Sequence, residues 1–378
     1  MKNTVSFLHK KIEDKSILWS APENQYLVLE NTTATAVKKL YNGESVTAIS
    51  KDISAKLSLP IKECTAFVLE LQQRFITPVK QEGLQKSKNL KNITVPEFLA
   101  VQKFYKINDT VIRVSFKSEA ACFLVHPKFE HLEVPQTKYN TCFKVFIEES
   151  SIFLAVNDTI IDSWTTDKIH FFQGKFSMEL IQKIHKKEED KWMGVFHASA
   201  VSNGKKAMLF LGDSGNGKST SLALLQANGF NCIADDFVPV AIENQEVYRF
   251  PAGISVKKNS LETLLPFYPE LKDATEFDFK DLHKIVRYIK PNNTDVSPHL
   301  PCSDLVFIKY TKNVATSCNK ISKIDAFQQL VPDSWLSPRK ENAQVFLDWF
   351  EHLNCYQLIY SNTDQMVAEV SKLFTDGL

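Results

Sequence analysis

Apolar residues recur along this chain in three successive rhythms. The first has a helical period. Val46, Ile49, Ile53 and Leu57 are three or four apart and predict a helix over 45–57. Ile61, Phe67, Val68 and Leu71 do the same over 60–75, where Pro60 suits a helix start. A strand over 25–30 and a helix over 33–41, closed by the Asn42-Gly43 turn, precede them. The second rhythm is strand-like and fills 98–176. It predicts strands over 111–116, 143–148 and 152–156, with Asn157-Asp158 as a turn, and then a helix over 175–185. From about 193 the pattern becomes strand, loop, helix, strand. Strands are predicted at 207–211, 305–310 and 356–360, and helices at 219–228, 343–352 and 363–374. Such alternation predicts an α/β class with a mixed sheet.

These changes of rhythm divide the chain. A small helical domain with a winged-helix-like plan is expected over 1–78. A polar, lysine-rich linker follows over 79–97, then a small α+β region over 98–190, and an α/β core over 191–378. With 378 residues and 44% hydrophobic side chains, the chain can bury more than one core. Its 45 basic and 44 acidic residues leave a net charge of +1, and only five of the basic residues are arginine. That balance argues against a nucleic-acid partner. No run approaches the length of a membrane helix, and the charged first fifteen residues are unlike a secretory signal. The seven cysteines are scattered and never spaced Cys-x-x-Cys. This fits a reducing, cytoplasmic setting rather than a disulfide framework or a zinc knuckle.

Seven of the eleven glycines fall within 194–253, so backbone must turn sharply or approach a ligand there. The run Gly212-Asp213-Ser214-Gly215-Asn216-Gly217-Lys218-Ser219-Thr220 fits Gly-x-x-x-x-Gly-Lys-Ser/Thr. An apolar strand precedes it and a helix closed by Gly229 follows. In that setting backbone N–H groups and a helix N-terminus converge on phosphate oxygens. Lys218 would reach the outer phosphates of ATP, and the Ser219 hydroxyl would reach magnesium.

The next strand, 230–235, ends in Asp235-Asp236, and Asp235 stands 17 residues after Lys218. A single helix and a short turn therefore return the chain to the phosphate loop. Two carboxylates there can divide the work, one taking a proton from an attacking hydroxyl and the other holding magnesium. Upstream, His197 lies in the apolar run 195–201, ahead of the Ser202-Asn203-Gly204 turn. That hairpin puts His197 either near the neighbouring strand's end or at the far edge.

His197-Ala198-x-Ala200-Val201, then Gly212-Asp213-Ser214-Gly215-x-Gly217-Lys218-Ser219, then Ala234-Asp235-Asp236 resembles the bacterial HPr kinase/phosphorylase superfamily. The match covers about 194–240. The resemblance implies a P-loop kinase fold in which Asp235 activates an acceptor serine. His197 would be the active-site histidine, Lys218 the phosphate-contacting lysine and Ser219 a magnesium ligand; in the division of work between the two carboxylates, Asp236 is then the one left to hold magnesium. One departure is plain. The superfamily carries a Leu-Glu-Ile-Arg-Gly run after this core, whereas residues 248–257 here read Tyr-Arg-Phe-Pro-Ala-Gly-Ile-Ser-Val-Lys. A metal-site glutamate is missing from that segment, and HPr is not the expected substrate. The altered wording looks instead like HPr-kinase-related proteins of modified-peptide biosynthesis. Residues 20–78 are similar to the PqqD-type peptide-recognition domain, or to a generic winged helix. Lys257 and Lys258 would contact phosphate or substrate, or form a solvated face.

The expected function is an ATP-dependent, magnesium-dependent kinase acting on a hydroxyl, serine of a peptide or protein, with the N-terminal domain as a docking module. The alternatives are a small-molecule hydroxyl kinase and a non-catalytic ATP- or peptide-binding protein. A homo-oligomer is left open.

Overall fold

The computed structural model describes residues 7–21, 23–76, 93–279, 284–292 and 297–375. Most of the expected linker lies outside them. The chain forms α/β structure in two compact units, one built from 1–88 with 322–352 and the other from 89–321 with 353–378. Residues 322–352, expected with the α/β core over 191–378, thus belong to the unit that contains the N-terminus.

In that first unit three antiparallel strands, Phe7–Ile12, Lys15–Ser20 and Gln25–Glu30, lie in sequence order. Only the last was expected. The central strand buries Ile17, Leu18 and Trp19 in succession, so both of its faces are covered. Helices Asn31–Tyr41, Val46–Leu57 and Ile61–Phe75 follow as predicted. Ser45 caps the second, its side chain accepting from the Ala48 N–H at 3.2 Å, a contact worth about 1 kcal/mol. Ile49 and Ile53 point into a core with Val37, Leu40, Val68 and Leu71, whereas Leu57 is exposed. Helix Lys340–His352 joins this unit. Lys10 pairs with Asp348 at 2.7 Å and Glu351 at 2.5 Å, and the Tyr26 ring meets Phe346 edge-on.

The second unit begins with a six-stranded sheet that includes Val101–Ile107, Thr110–Phe116, Thr141–Glu148, Ser151–Val156 and Thr159–Thr165. Asn157 and Asp158 both have positive φ, 45° and 69°, as a two-residue hairpin turn requires. Helix Ile169–His185 covers the sheet with Phe172, Phe176, Leu180 and Ile184, spaced four apart on one face. It starts ahead of the expected position 175 because Ile169 and Phe172 are core residues too.

The sheet that carries the site is ordered Asn231–Asp235, Ser199–Ser202, Ala207–Leu211, His299–Tyr310, and then Asn354–Tyr360. The long strand His299–Tyr310 also pairs through its first residues with Glu246–Tyr248, which leads to Val238–Ala241 and Trp192–Phe196. The apolar run 195–201 is therefore not one straight strand. It breaks at residues 197–198. The opposing chain breaks at 236–237, and Phe196↔Val238 and Ser199↔Asp235 keep one antiparallel register across both breaks. His197 and Asp236 occupy these breaks. Helix Lys218–Ala227 packs Leu222, Leu224 and Leu225 against Val306, Ile308, Leu358, Met366 and Val370. Leu222 is fully buried, and its truncation to alanine would cost about 2–5 kcal/mol.

Candidate functional site

The loop over 212–217 owes its shape to three glycines with φ of 131° (Gly212), 97° (Gly215) and 97° (Gly217). Two are also fixed by space. A Cβ on Gly212 would stand 2.8 Å from the Ile308 carbonyl oxygen, and one on Gly217 would stand 2.9 Å from the Tyr360 hydroxyl. The Asn216 N–H donates to the Asp213 carbonyl at 3.2 Å, and the Asn216 carbonyl accepts from the Tyr310 N–H at 3.0 Å. The loop is thereby pinned to the neighbouring strand. Gly217 is the N-cap of helix Lys218–Ala227, which has no side-chain cap. A helix start without a side-chain cap is a common setting for anion binding. Lys218 is only 6% exposed and donates back to the Gly212 and Asp213 carbonyls.

The adjacent aspartates differ sharply. Asp235 is 2% exposed, and both of its oxygens are engaged. Oδ1 accepts from Ser199 Oγ at 2.6 Å and from Ser219 Oγ at 2.9 Å, and Oδ2 accepts from the Ser255 N–H at 3.0 Å. Burial, helped by the charge of Asp236, pushes its carboxyl up to about 6, and the three hydrogen bonds pull the other way. Asp236 has φ of 63°, a left-handed conformation that Asp tolerates better than most residues. Its side chain is partly open, and Lys284 Nζ lies 3.7 Å from Oδ2. Burial opposes its ionisation, but Lys284, Lys128, His197 and Lys218 outweigh it and draw the carboxyl down to about 2.

A cavity of about 670 Å³ opens over the loop. Asp213, Ser214, Gly215, Gly217, Lys218, Ser219 and Thr220 line it, whereas Gly212 and Asn216 hold the loop from behind. His197 and Asp236 face the same cavity; Asp235 does not line it. The open question about His197 is thus answered: it lies beside the loop. The two neighbouring lysines part company. Lys257 lines the cavity and donates to Ser214 Oγ at 3.0 Å, while Lys258 is exposed and outside it.

Sequence reasoning missed Lys284, Lys128 and Ser199. Lys284 begins strand Lys284–Ile289, in a three-stranded sheet with Ile254–Lys257 and Phe277–Phe279. Lys128 comes from the region before the core, in the short helix His126–Phe129, and its carbonyl accepts from the Gly253 N–H at 2.8 Å. Burial lowers the Lys128 ammonium, against the pull of Asp236. Neither lysine sits in a motif. Ser199 had a weak signal, being two residues after His197 on a strand that pairs with the aspartate strand. The segment that lacks the expected glutamate supplies Ser255, whose backbone N–H reaches Asp235 instead.

The Ser219 hydroxyl lines the cavity, with the sealed Asp235 carboxylate behind it. A hydroxyl and a carboxylate share one point at the loop's end, and magnesium commonly takes one or two protein oxygens and completes its shell with phosphate and water. Among the described residues no group of three or more His, Cys, Asp or Glu is gathered for a metal. Comparison with protein-family models and with curated proteins gives no match. All seven cysteines are free thiols, and among the described residues no helix is long and apolar enough to cross a membrane.

Proposed function

We propose that this protein is an ATP-dependent, magnesium-dependent kinase that phosphorylates a hydroxyl group, in the manner of the HPr kinase-like P-loop enzymes. The observation that carries this reading is the placement of Asp236, Lys218, Ser219 and His197 around one cavity, with Asp235 bonded to Ser219. The loop N–H groups and Lys218 bind the β- and γ-phosphates. Ser219, its hydroxyl held by the sealed Asp235 carboxylate, would contact magnesium, which supplies charge neutralisation at the phosphate oxygens when bound.

The geometry favours exchanging the roles that the resemblance implied for the two aspartates. Asp235 is committed to Ser199, Ser219 and Ser255 and has no oxygen turned to an acceptor. Asp236 faces the cavity as a carboxylate. It orients the acceptor hydroxyl and takes its proton. The acceptor oxygen bonds to the γ-phosphorus as the bond to the β-bridging oxygen breaks, and ADP leaves. With a carboxyl drawn down to about 2, Asp236 is a weak base, so proton transfer comes late and positioning dominates, as suits a loose phosphoryl-transfer transition state. Lys218, Lys284 and His197 offset charge on the transferred group.

A peptide or protein serine is the acceptor favoured here. Gln25–Glu30 is an outer strand of its sheet, and strand addition at such an edge is a common way to hold an extended peptide. A winged-helix or PqqD-like role for this unit and a cytoplasmic site of action belong to the same reading. The test is transfer of label from γ-labelled ATP to a serine-containing peptide pool and, separately, to a pool of hydroxylated metabolites, each with and without magnesium. Magnesium-dependent label in peptide supports the reading, and label in metabolites alone moves the acceptor to small molecules. Nucleotide binding without transfer to either pool overturns catalysis.

A further inference from the structure

The phosphate loop lies in the middle of its cavity rather than at one end. Asp235 ends a strand two places to one side of the loop strand Ala207–Leu211, and Ser361 follows a strand two places to the other side. At about 4.8 Å per strand these ends stand roughly 19 Å apart. The cavity spans both, with His197 and Asp236 at one end and Tyr310 and Asn362 at the other. If phosphoryl transfer occurs at the aspartate end, a nucleotide crossing the loop must place its nucleoside at the tyrosine end.

That end is built for a flat ring. Tyr310 is 43% exposed although it ends a buried strand. Its N–H is tied to the loop through Asn216, and its ring stands edge-on to Tyr360 at 5.5 Å and 68°. Tyr360 is itself fixed, its hydroxyl sharing a 2.9 Å hydrogen bond with Ser221 of the loop helix. The Tyr310 ring is thus a partly exposed aromatic ring on a rigid mount. Beside it, Asn362 Oδ1 accepts from the Gln365 N–H at 2.9 Å, which commits the oxygen to the start of helix Thr363–Thr375 and leaves the amide N–H₂ as the group offered to a ligand.

We propose that Tyr310 and Asn362 form the nucleoside subsite, with a purine ring stacked on Tyr310 and an acceptor of that ring taking a hydrogen bond from the Asn362 amide. This rests on the nucleotide reading of the loop, and it assigns the base-recognition end that the loop motif leaves undefined. A purine suits the site better than a pyrimidine because its larger face gains more from stacking.

The experiment measures ATP and inorganic tripolyphosphate binding by calorimetry to the wild-type protein and to Tyr310→Ala, Tyr310→Phe, Asn362→Ser and Lys218→Ala variants. Tyr310→Ala is expected to weaken ATP about ten-fold while tripolyphosphate changes by less than about two-fold. Tyr310→Phe keeps the ring and binds ATP like the wild type. Asn362→Ser retains a helix-capping oxygen and weakens ATP alone. Undiminished ATP binding in Tyr310→Ala, with both ligands lost in Lys218→Ala, overturns the subsite and leaves the loop assignment standing. Equal weakening of both ligands in Tyr310→Ala also overturns it, since the residue would then act only by supporting the loop. Wild-type protein that binds neither ligand removes both readings.

Discussion

The Ser219 hydroxyl donates to Asp235 Oδ1 at 2.9 Å, joining the end of the phosphate loop to the end of a strand two places away in the sheet. Two oxygens meet there, at the point where the proposed reading puts magnesium on Ser219. Ser219→Ala removes one of them while Ser199 and the Ser255 N–H still hold the carboxylate. The apparent magnesium affinity in the presence of ATP should fall by roughly ten-fold or more, with little change in metal-free ATP binding. Titration of magnesium against a fluorescent ATP analogue checks this. An unchanged magnesium midpoint would remove Ser219 from the metal site.

Asp236→Asn should separate binding from transfer. The side chain lines the cavity without holding the loop, so ATP affinity is expected to stay within about three-fold while the transfer rate drops by roughly 10²–10⁴. Asp235→Asn should instead weaken magnesium use, because it alters the group bonded to Ser219. Single-turnover transfer at saturating magnesium distinguishes the two variants. Near-wild-type turnover in Asp236→Asn would return the acceptor role to Asp235.

The two carboxyls predict opposite pH responses of stability. Asp235 is raised to about 6 by burial and by Asp236, so the folded chain keeps a proton that the unfolded chain has lost. Its contribution is full below the ordinary value of 3.8 and is lost as pH rises through about 6. Asp236 is lowered to about 2, so it stabilises above 3.8 and loses that effect as pH falls through about 2. Above 3.8, where Asp236 is ionised in both the folded and the unfolded chain, Asp235 governs the slope. The wild-type melting temperature, measured relative to Asp235→Asn, should decline from roughly pH 4 to pH 6 and then level off. A rising difference over that range contradicts the assignment.

Gly217 and Gly215 share φ of 97°, but only Gly217 is crowded. Gly215→Ala should cost about 1–2 kcal/mol, the penalty of a left-handed backbone. Gly217→Ala should cost more, since its Cβ would meet the Tyr360 hydroxyl at 2.9 Å. Adding Tyr360→Phe removes that oxygen and should recover part of the excess. Equilibrium denaturation of the three variants measures it, and equal losses for the two glycines would show that the hydroxyl yields without cost.

Local patterns were legible wherever a residue's own neighbours decide its conformation. The loop glycines, the helix that follows them, the Asn157-Asp158 turn and the three helices over 31–75 follow from backbone sterics, capping and periodicity, which act over a few residues. Strands Phe7–Ile12 and Lys15–Ser20 escaped because Lys10, Lys11 and Lys15 mask them; packing covers the central strand on both faces. The apolar run 195–201 carried no mark of its break at His197, because that break exists only opposite the break at Asp236. Residue order along the chain is enough to show that a Gly-x-x-x-x-Gly-Lys-Ser loop precedes two aspartates. Tertiary structure alone decided which aspartate is sealed by Ser199, Ser219 and Ser255 and which opens to the cavity beside Lys284 and Lys128. Both carboxylates have the same chemistry in the unfolded chain. Their difference comes from burial and from charges brought close by folding, and these depend on distance in space rather than along the chain.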